Sequence, residues 1–137
     1  MATLPVSSLI PWSPFDSVVW HVLEIPLTRE EIQEAIDAKK LLGNPVPEHL
    51  ADQSLRELHV QRIAYLVVHG WDDPIAIDVG VPCLGYHVDW VVQDGHHRLA
   101  AAIFRGDEHI QVLVDGDIDY AGSMFNVPAD SLLEAHP

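Results

Sequence analysis

The stretch VVQDGHHRLAAAIFRGDEHIQVLV, Val91 to Val114, carries the strongest fold signal in this sequence. A short apolar run ends at Asp94 and Gly95, a segment rich in alanine follows, and an alternating apolar run begins near His109. Period-two alternation indicates a strand, whereas apolar residues at helical spacing indicate a helix. The stretch therefore predicts a strand, a helix and a second strand, with Gly95 making the tight turn between the first two.

Upstream, the sequence predicts a strand followed by a helix. Residues 17–27 (SVVWHVLEIPL) alternate and are rich in valine and tryptophan, which is typical of a strand. Thr28 and Glu31 then have the spacing of a helix capping box, and apolar residues recur on one face after them. A helix is expected from about residue 29 to residue 42.

The remaining segments predict one more helix, two short strands and a small helix near the C-terminus. Apolar residues at nearly helical spacing predict a helix over about 52–69, and PIAIDVG, residues 74–80, alternates as a short strand. WVVQ, residues 90–93, is expected to be a strand in the sheet interior, because it is too apolar for an edge in contact with water. Residues 129–135 are expected to form a short helix.

These elements predict a single small α+β domain with a mixed sheet and flanking helices. A chain of 137 residues is long enough for one hydrophobic core and too short for two ordinary domains. Residues 1–17, which are broken by prolines, are expected to form an extended arm. Residues 18–116 would then form the domain, and residues 117–137 a C-terminal tail.

Charge and cysteine content restrict the class of function. The 21 Asp and Glu against 7 Lys and Arg give a net charge of −14, which should repel nucleic acid. A small anion in a local basic pocket is compatible with this charge, because charges more than about 10 Å away are screened. Cys83 is the single cysteine, which excludes an internal disulfide and favours the cytoplasm. No stretch reaches the roughly 18 apolar residues that a membrane span needs.

The predicted start of the central helix concentrates His96, His97 and Arg98. The first N–H groups of a helix have no partner within it, and with the helix dipole they form a site for anions. Cations are unfavourable there, so a negative partner is expected. Either Asp94 provides it internally, with the histidines as surface groups, or a bound phosphate provides it, with Arg98 as a planar fork.

The same residues resemble a known superfamily. DGHHRLAAAIFRGDEHIQVLV resembles the nucleotide-contacting turn of the ParB/sulfiredoxin superfamily, and RIAYLVVHG followed by WDDPIAIDVG resembles the helix, glycine and strand that precede it. The resemblance covers about residues 18–114 and is nearest to stand-alone ParB-like nuclease domains. It implies a domain that binds ATP, ADP or CTP, often with Mg²⁺, and that has ATPase, kinase or nuclease activity.

Carried over by position, the resemblance implies that Gly95 is the turn glycine and that His97 and Arg98 contact phosphate. His96 stands where sulfiredoxins have their catalytic cysteine and partitioning proteins a glutamate, so neither sulfinic-acid reduction nor chromosome partitioning is expected. Phosphoryl transfer depends on positioning and charge neutralisation. Asp94 is therefore the candidate metal ligand and base, and His96 the second candidate catalytic residue.

Other assignments stay open at the level of sequence. Trp71 is expected at the mouth of the pocket, where its ring would stack on a base or simply cap the core. Asp78 is an alternative metal ligand or base, although an aspartate at a strand end more often caps a turn. The histidines could instead form a metal centre. The chain could also be a non-enzymatic acidic protein that binds a partner protein or a second copy of itself.

Overall fold

The computed structural model describes residues 2–20 and 23–133, and it contains a mixed sheet of four strands. In chain order the strands are β1 (Ala2–Pro5), β2 (Ile75–Asp78), β3 (Val92–Asp94) and β4 (His109–Asp115). Their order across the sheet is β1-β4-β2-β3. β2 and β4 run parallel, whereas β1 with β4 and β2 with β3 are antiparallel. The predicted α+β class with a mixed sheet is confirmed.

Helices surround this sheet. They are α1 (Arg29–Asp37), α2 (Arg56–His69), α3 (His96–Arg105), α4 (Ile118–Phe125) and α5 (Ala129–Leu133), with 3₁₀ helices at Val6–Trp12, Glu48–Gln53 and Pro82–Leu84. α2 packs against both α1 and α3. Within the part of the chain described, no helix is long and apolar enough to span a bilayer.

Helix α3 lies between two hydrophobic cores. Leu99 and Ala102 pack into the core on the sheet, while Ala100 and Ala101 pack into the core formed with α1 and α2. All four residues are fully buried. Small side chains let α2 and the sheet approach the helix from opposite sides, so the first turn of α3 is held at a fixed position.

The capping box that was predicted for α1 is present and also ties α1 to α2. Thr28 accepts a hydrogen bond from the Glu31 amide, and the Glu31 carboxylate accepts one from the Thr28 amide at 3.1 Å. Arg56 then binds both carboxylate oxygens of Glu31, at 2.7 and 2.6 Å. This pairing holds the pKa of Glu31 below its ordinary value. The helix ends at Asp37, earlier than expected, and Lys39 takes a positive φ of 56°.

An N-terminal arm was expected over residues 1–17, but residues 2–17, the part of it that the structure describes, belong to the folded domain. Ala2 and Leu4 are buried, and β1 pairs with β4 along its whole length. A 3₁₀ helix follows directly over Val6–Trp12. The prolines that suggested an extended arm therefore mark the end of a strand and a short helix, which only the distant pairing with β4 reveals.

Two strand predictions also need correction. The strand expected over residues 17–27 is absent from residues 17–20 and 23–27, and residues 21–22 lie outside the described part of the chain. Trp20 and Leu27 pack in the helical core. β3 is an edge strand and not an interior one. Its apolar residue Val92 is buried by packing in the core on the sheet, not by a second flanking strand. In the tail, α5 confirms the short helix over Ala129–Leu133, residues 134–135 of the prediction lie outside the described residues, and α4 was not anticipated.

The turn glycine at the start of α3 packs closely against the first residue of β2. Gly95 has a φ of 105°, and a Cβ at this position would overlap the side chain of Ile75. Gly95→Ala should therefore lower the free energy of unfolding by about 3 kcal/mol, through strain and overpacking together. Gly106→Ala is the matched control, because its φ is 79° and no atom lies within 4 Å of its added Cβ.

The control should lose only about 1 kcal/mol from backbone strain. Urea denaturation of both variants measures the two losses. Equal losses would show that the close contact between Gly95 and Ile75 does not constrain the turn.

Candidate functional site

A cavity of about 630 Å³ lies at the N-terminus of α3. Its walls come from α2, from the turn before β2, from the segment around residues 45–51 and from the first turn of α3. Six of the residues singled out by the sequence line it, and Asp78 does not: Trp71, Asp94, Gly95, His96, His97 and Arg98. The fold thus brings the predicted site residues together around one space.

The N-terminus of α3 contributes backbone donors to this cavity. Gly95 is the N-cap residue in the left-handed region, and no side chain caps the helix. The first helical bond runs from the Leu99 amide to the Gly95 carbonyl at 2.8 Å. Among the described residues, the amides of His97 and Arg98 have no hydrogen-bond acceptor. These two N–H groups at the positive end of the helix dipole therefore remain available to an acceptor on a ligand.

The Arg98 guanidinium already makes three hydrogen bonds within the protein. Its Nη1 donates to the carbonyl oxygens of Asp73 at 3.1 Å and Pro74 at 2.8 Å, and its Nη2 donates to Asp94 Oδ2 at 3.2 Å. The internal pairing with Asp94 is thus present. Three hydrogen bonds use three of the five N–H groups of a guanidinium, which leaves two for a ligand. Arg98 both docks α3 on the turn before β2 and keeps some capacity to bind an anion.

Arg62, from α2, is a second cation on the cavity wall that the sequence did not single out. Its Nη1 donates to the Leu42 carbonyl at 3.3 Å and the Gly43 carbonyl at 2.9 Å, and the guanidinium lies 5.4 Å from the Tyr65 ring centre. Within the described residues no carboxylate pairs with it. Burial, and the charge of Arg98, lower the pKa of Arg62.

The ring of His97 is held inside the protein by His59. His97 Nε2 lies 2.9 Å from His59 Nδ1, and His59 Nε2 lies 2.9 Å from the Ala51 carbonyl oxygen. Trp20 stacks on both imidazoles, with centroid distances of 3.8 Å to His59 and 4.6 Å to His97. Burial first, and then the neighbouring cations and imidazoles, hold the pKa of His97 well below its ordinary 6.5. His97 therefore contributes a neutral ring to the cavity wall at neutral pH.

The Nε2 atom of His96, whose lone pair a general base would use, already accepts a hydrogen bond. The Trp90 indole can only donate, and its Nε1 lies 2.8 Å from His96 Nε2, so this nitrogen is the acceptor. While this bond holds, the Nε2 lone pair of His96 cannot abstract a proton. The catalytic role of His96 stays a prediction, and this geometry opposes it.

Trp71 and Asp78 have different placements. Trp71 is half-buried on the cavity wall, and the Arg105 guanidinium lies 4.8 Å from its ring centre. Asp78 lies at the opposite end of β2, where its carboxylate accepts hydrogen bonds from the Gly80 amide at 2.8 Å and the Tyr86 hydroxyl at 2.9 Å. Asp78 caps a turn outside the cavity, so it is not available as a base or metal ligand there.

His59 was missed because the apolar spacing of the sequence does not show that a histidine belongs to the buried face of α2. Leu55 and Leu58, two of the apolar residues whose spacing predicts this helix, are 63% and 37% exposed. The buried face instead includes His59 and Ile63, one turn apart, both with no exposure. The sequence signal that could have revealed His59 is its position one turn before Ile63, on a helix face that is otherwise apolar.

The residues present can support only part of a metal site. Between residues 2–20 and 23–133, no group of three His, Cys, Asp or Glu side chains converges on a point that could hold a metal ion. Asp73 and Asp94 both line the cavity, and Mg²⁺ commonly binds through one or two carboxylates together with substrate phosphates. Mg²⁺ would therefore have to arrive with a phosphate ligand.

Comparisons with family models, with curated proteins and with solved structures give no match to this chain. The resemblance to the ParB/sulfiredoxin superfamily therefore stays a prediction from the sequence.

The half-buried imidazole of His97 should make the fold sensitive to acid. Its pKa is lower in the folded protein than in the unfolded chain, so below about pH 6.5 the unfolded chain binds a proton that the folded protein does not. The contribution of neutral His97 to the free energy of unfolding is complete above about pH 6.5 and is lost as the pH falls toward the pKa of His97 in the folded protein. The free energy of unfolding should fall by up to about 1.4 kcal/mol per pH unit.

Urea denaturation between about pH 7 and pH 5.5 measures this slope. His97→Gln, which retains a donor toward His59, should give a shallower slope, and His87→Gln, at an exposed position outside the cavity, should match the wild type. Identical slopes in all three proteins would show that His97 is not buried as a neutral ring.

Proposed function

We propose that the protein is a nucleotide-binding domain of the ParB-like type, which holds the phosphates of ATP, ADP or CTP at the N-terminus of α3. One observation carries the proposal. Arg62, Arg98 and the unpaired amides of α3 face a single cavity in a chain whose net charge is −14. Asp94 pairs with Arg98, but no described carboxylate pairs with Arg62, which lies close enough to Arg98 to be repelled by it. A negative ligand between the two arginines would complete the charge balance.

The local electrostatics support an anion in spite of the acidic surface. Charge-assisted hydrogen bonds from arginine to phosphate are short and strong. Charges more than about 10 Å away are screened at physiological salt. The volume of about 630 Å³ lies within the range of small-molecule pockets, roughly 300–1,000 Å³. Trp71 offers an aromatic surface to the nucleotide base at the wall of the same cavity.

Turnover of the nucleotide would depend on Asp94. Its side chain is 64% exposed at the cavity wall, and its carboxylate is the candidate base and Mg²⁺ ligand for phosphoryl transfer or hydrolysis. Mg²⁺, when bound with the phosphates, would neutralise their charge. We place the protein in the cytoplasm, on the evidence of its single cysteine.

A nucleotide should stabilise the folded protein, because it binds only that state. The melting temperature should rise with ATP, ADP or CTP, measured with and without Mg²⁺. Arg62→Gln should weaken binding at least about tenfold, as expected for the loss of a charge-assisted contact. Arg29→Gln is the matched control, since Arg29 lies over the Phe15 ring outside the cavity.

If no nucleotide changes the melting temperature, or if Arg29→Gln weakens binding as much as Arg62→Gln, the proposal is wrong. Arg98→Ala is a less informative variant. It would also remove the hydrogen bonds to Asp73 and Pro74 and thus destabilise the turn.

A second candidate function is a non-enzymatic acidic protein that binds a basic partner. Exposed apolar side chains favour it: Ile25 and Leu55 are 61% and 63% exposed, and Arg56 Nη1 donates to the Ile25 carbonyl at 2.9 Å, which brings the two segments together. Glu24 and Glu57 are exposed beside them in the sequence. Absence of any nucleotide effect on the melting temperature would favour this candidate.

A further inference from the structure

We propose that anion binding in this cavity is coupled to the uptake of one proton by the hydrogen-bonded pair His59–His97, so that acidity and occupancy regulate each other. The proposal rests on the proposed function, and it adds a link that the presence of a phosphate site alone does not imply.

The hydrogen bonds of the pair fix where its protons are. The Ala51 carbonyl oxygen can only accept, so His59 Nε2, 2.9 Å away, carries a hydrogen. Neutral His59 then has its lone pair on Nδ1, which accepts from His97 Nε2 at 2.9 Å. Neutral His97 therefore has its lone pair on Nδ1. This nitrogen is the one basic position left in the pair.

One added proton preserves both hydrogen bonds. It enters at His97 Nδ1, and the hydrogen between the two rings either stays on His97 or moves along the 2.9 Å bond to His59. In both arrangements Ala51 keeps its donor and the two imidazoles keep the bond between them. A second proton would place two N–H donors face to face, so the uptake is limited to one.

The surroundings make this proton depend on an anion. Among the described residues, the titratable and charged groups that act on His97 are His59 and Arg62 from α2, and His96 and Arg98 from α3, and each of them opposes a positive charge. A bound phosphate would reverse the balance, because it neutralises the arginines and attracts the imidazolium. The Trp20 ring, stacked at 25° on His97, also stabilises a cation. Binding and protonation must then favour each other reciprocally.

Calorimetric titration with ATP in buffers of different ionisation enthalpy measures the protons taken up on binding. Wild type should take up more than His97→Gln, and the difference should approach one proton as the pH is lowered from about 8 to about 6. Protonation of ATP itself is common to both proteins and cancels. The wild-type affinity should gain up to about tenfold per pH unit relative to the variant.

Two further variants test whether the proton uptake belongs specifically to His97. His59→Gln offers an amide donor to Ala51 and an amide oxygen to His97, so proton uptake should persist. His87→Gln, at an exposed histidine outside the cavity, should behave as wild type. If His97→Gln does not fold, ¹⁵N NMR of wild-type imidazoles gives the same answer, because the Nδ1 signal of His97 should change to that of a protonated nitrogen when ATP is added.

The outcomes distinguish the two proposals. Equal proton uptake by wild type and His97→Gln, or an unchanged Nδ1 signal with ATP bound, overturns the coupling and leaves nucleotide binding intact. Failure of wild type to bind ATP, ADP, CTP or pyrophosphate at any of these pH values overturns the proposed function, and the coupling with it.

Discussion

The hydrogen bonds from Arg98 to the carbonyl oxygens of Asp73 and Pro74 are the contacts on which the site depends. They fix the first turn of α3 against the turn that leads into β2, and the close packing of Gly95 on Ile75 fixes the same junction from the side of the sheet. The alanines of α3 hold the rest of the helix between the two cores. A rigid helix end with unpaired amides follows from these contacts, and it is the setting that anion recognition requires.

The charges around this helix end explain how an acidic protein can hold an anion. Arg62 and Arg98 bind mainly backbone carbonyl oxygens, which position a guanidinium without cancelling its charge. The carboxylate of Asp94 pairs with Arg98 from an exposed position, where water weakens the attraction. His97 lies beside them as a neutral ring, because desolvation and the nearby arginines oppose a third positive charge without a ligand.

Much of this architecture could be predicted from local patterns, and the errors have a common physical cause. The segment Val91 to Val114 and the capping box at Thr28 are local signals, and both gave the correct elements. β1 was missed because its pairing partner lies more than a hundred residues away in the chain. His59 and Arg62 were missed because the phase of α2 is set by its packing against α1 and α3, which no local pattern encodes. The candidate residues on α3 could be named from the sequence because a turn glycine and the start of a helix are recognised from neighbouring residues alone.

Backbone amide NMR during an ATP titration tests the central claim most directly. If the N-terminus of α3 binds phosphate, the amide resonances of His97 and Arg98 should shift downfield, with the indole signal of Trp71 also perturbed when the base is present. Pyrophosphate should reproduce the amide shifts alone. Saturable shifts confined to other parts of the surface, with these two amides unchanged, would contradict the account.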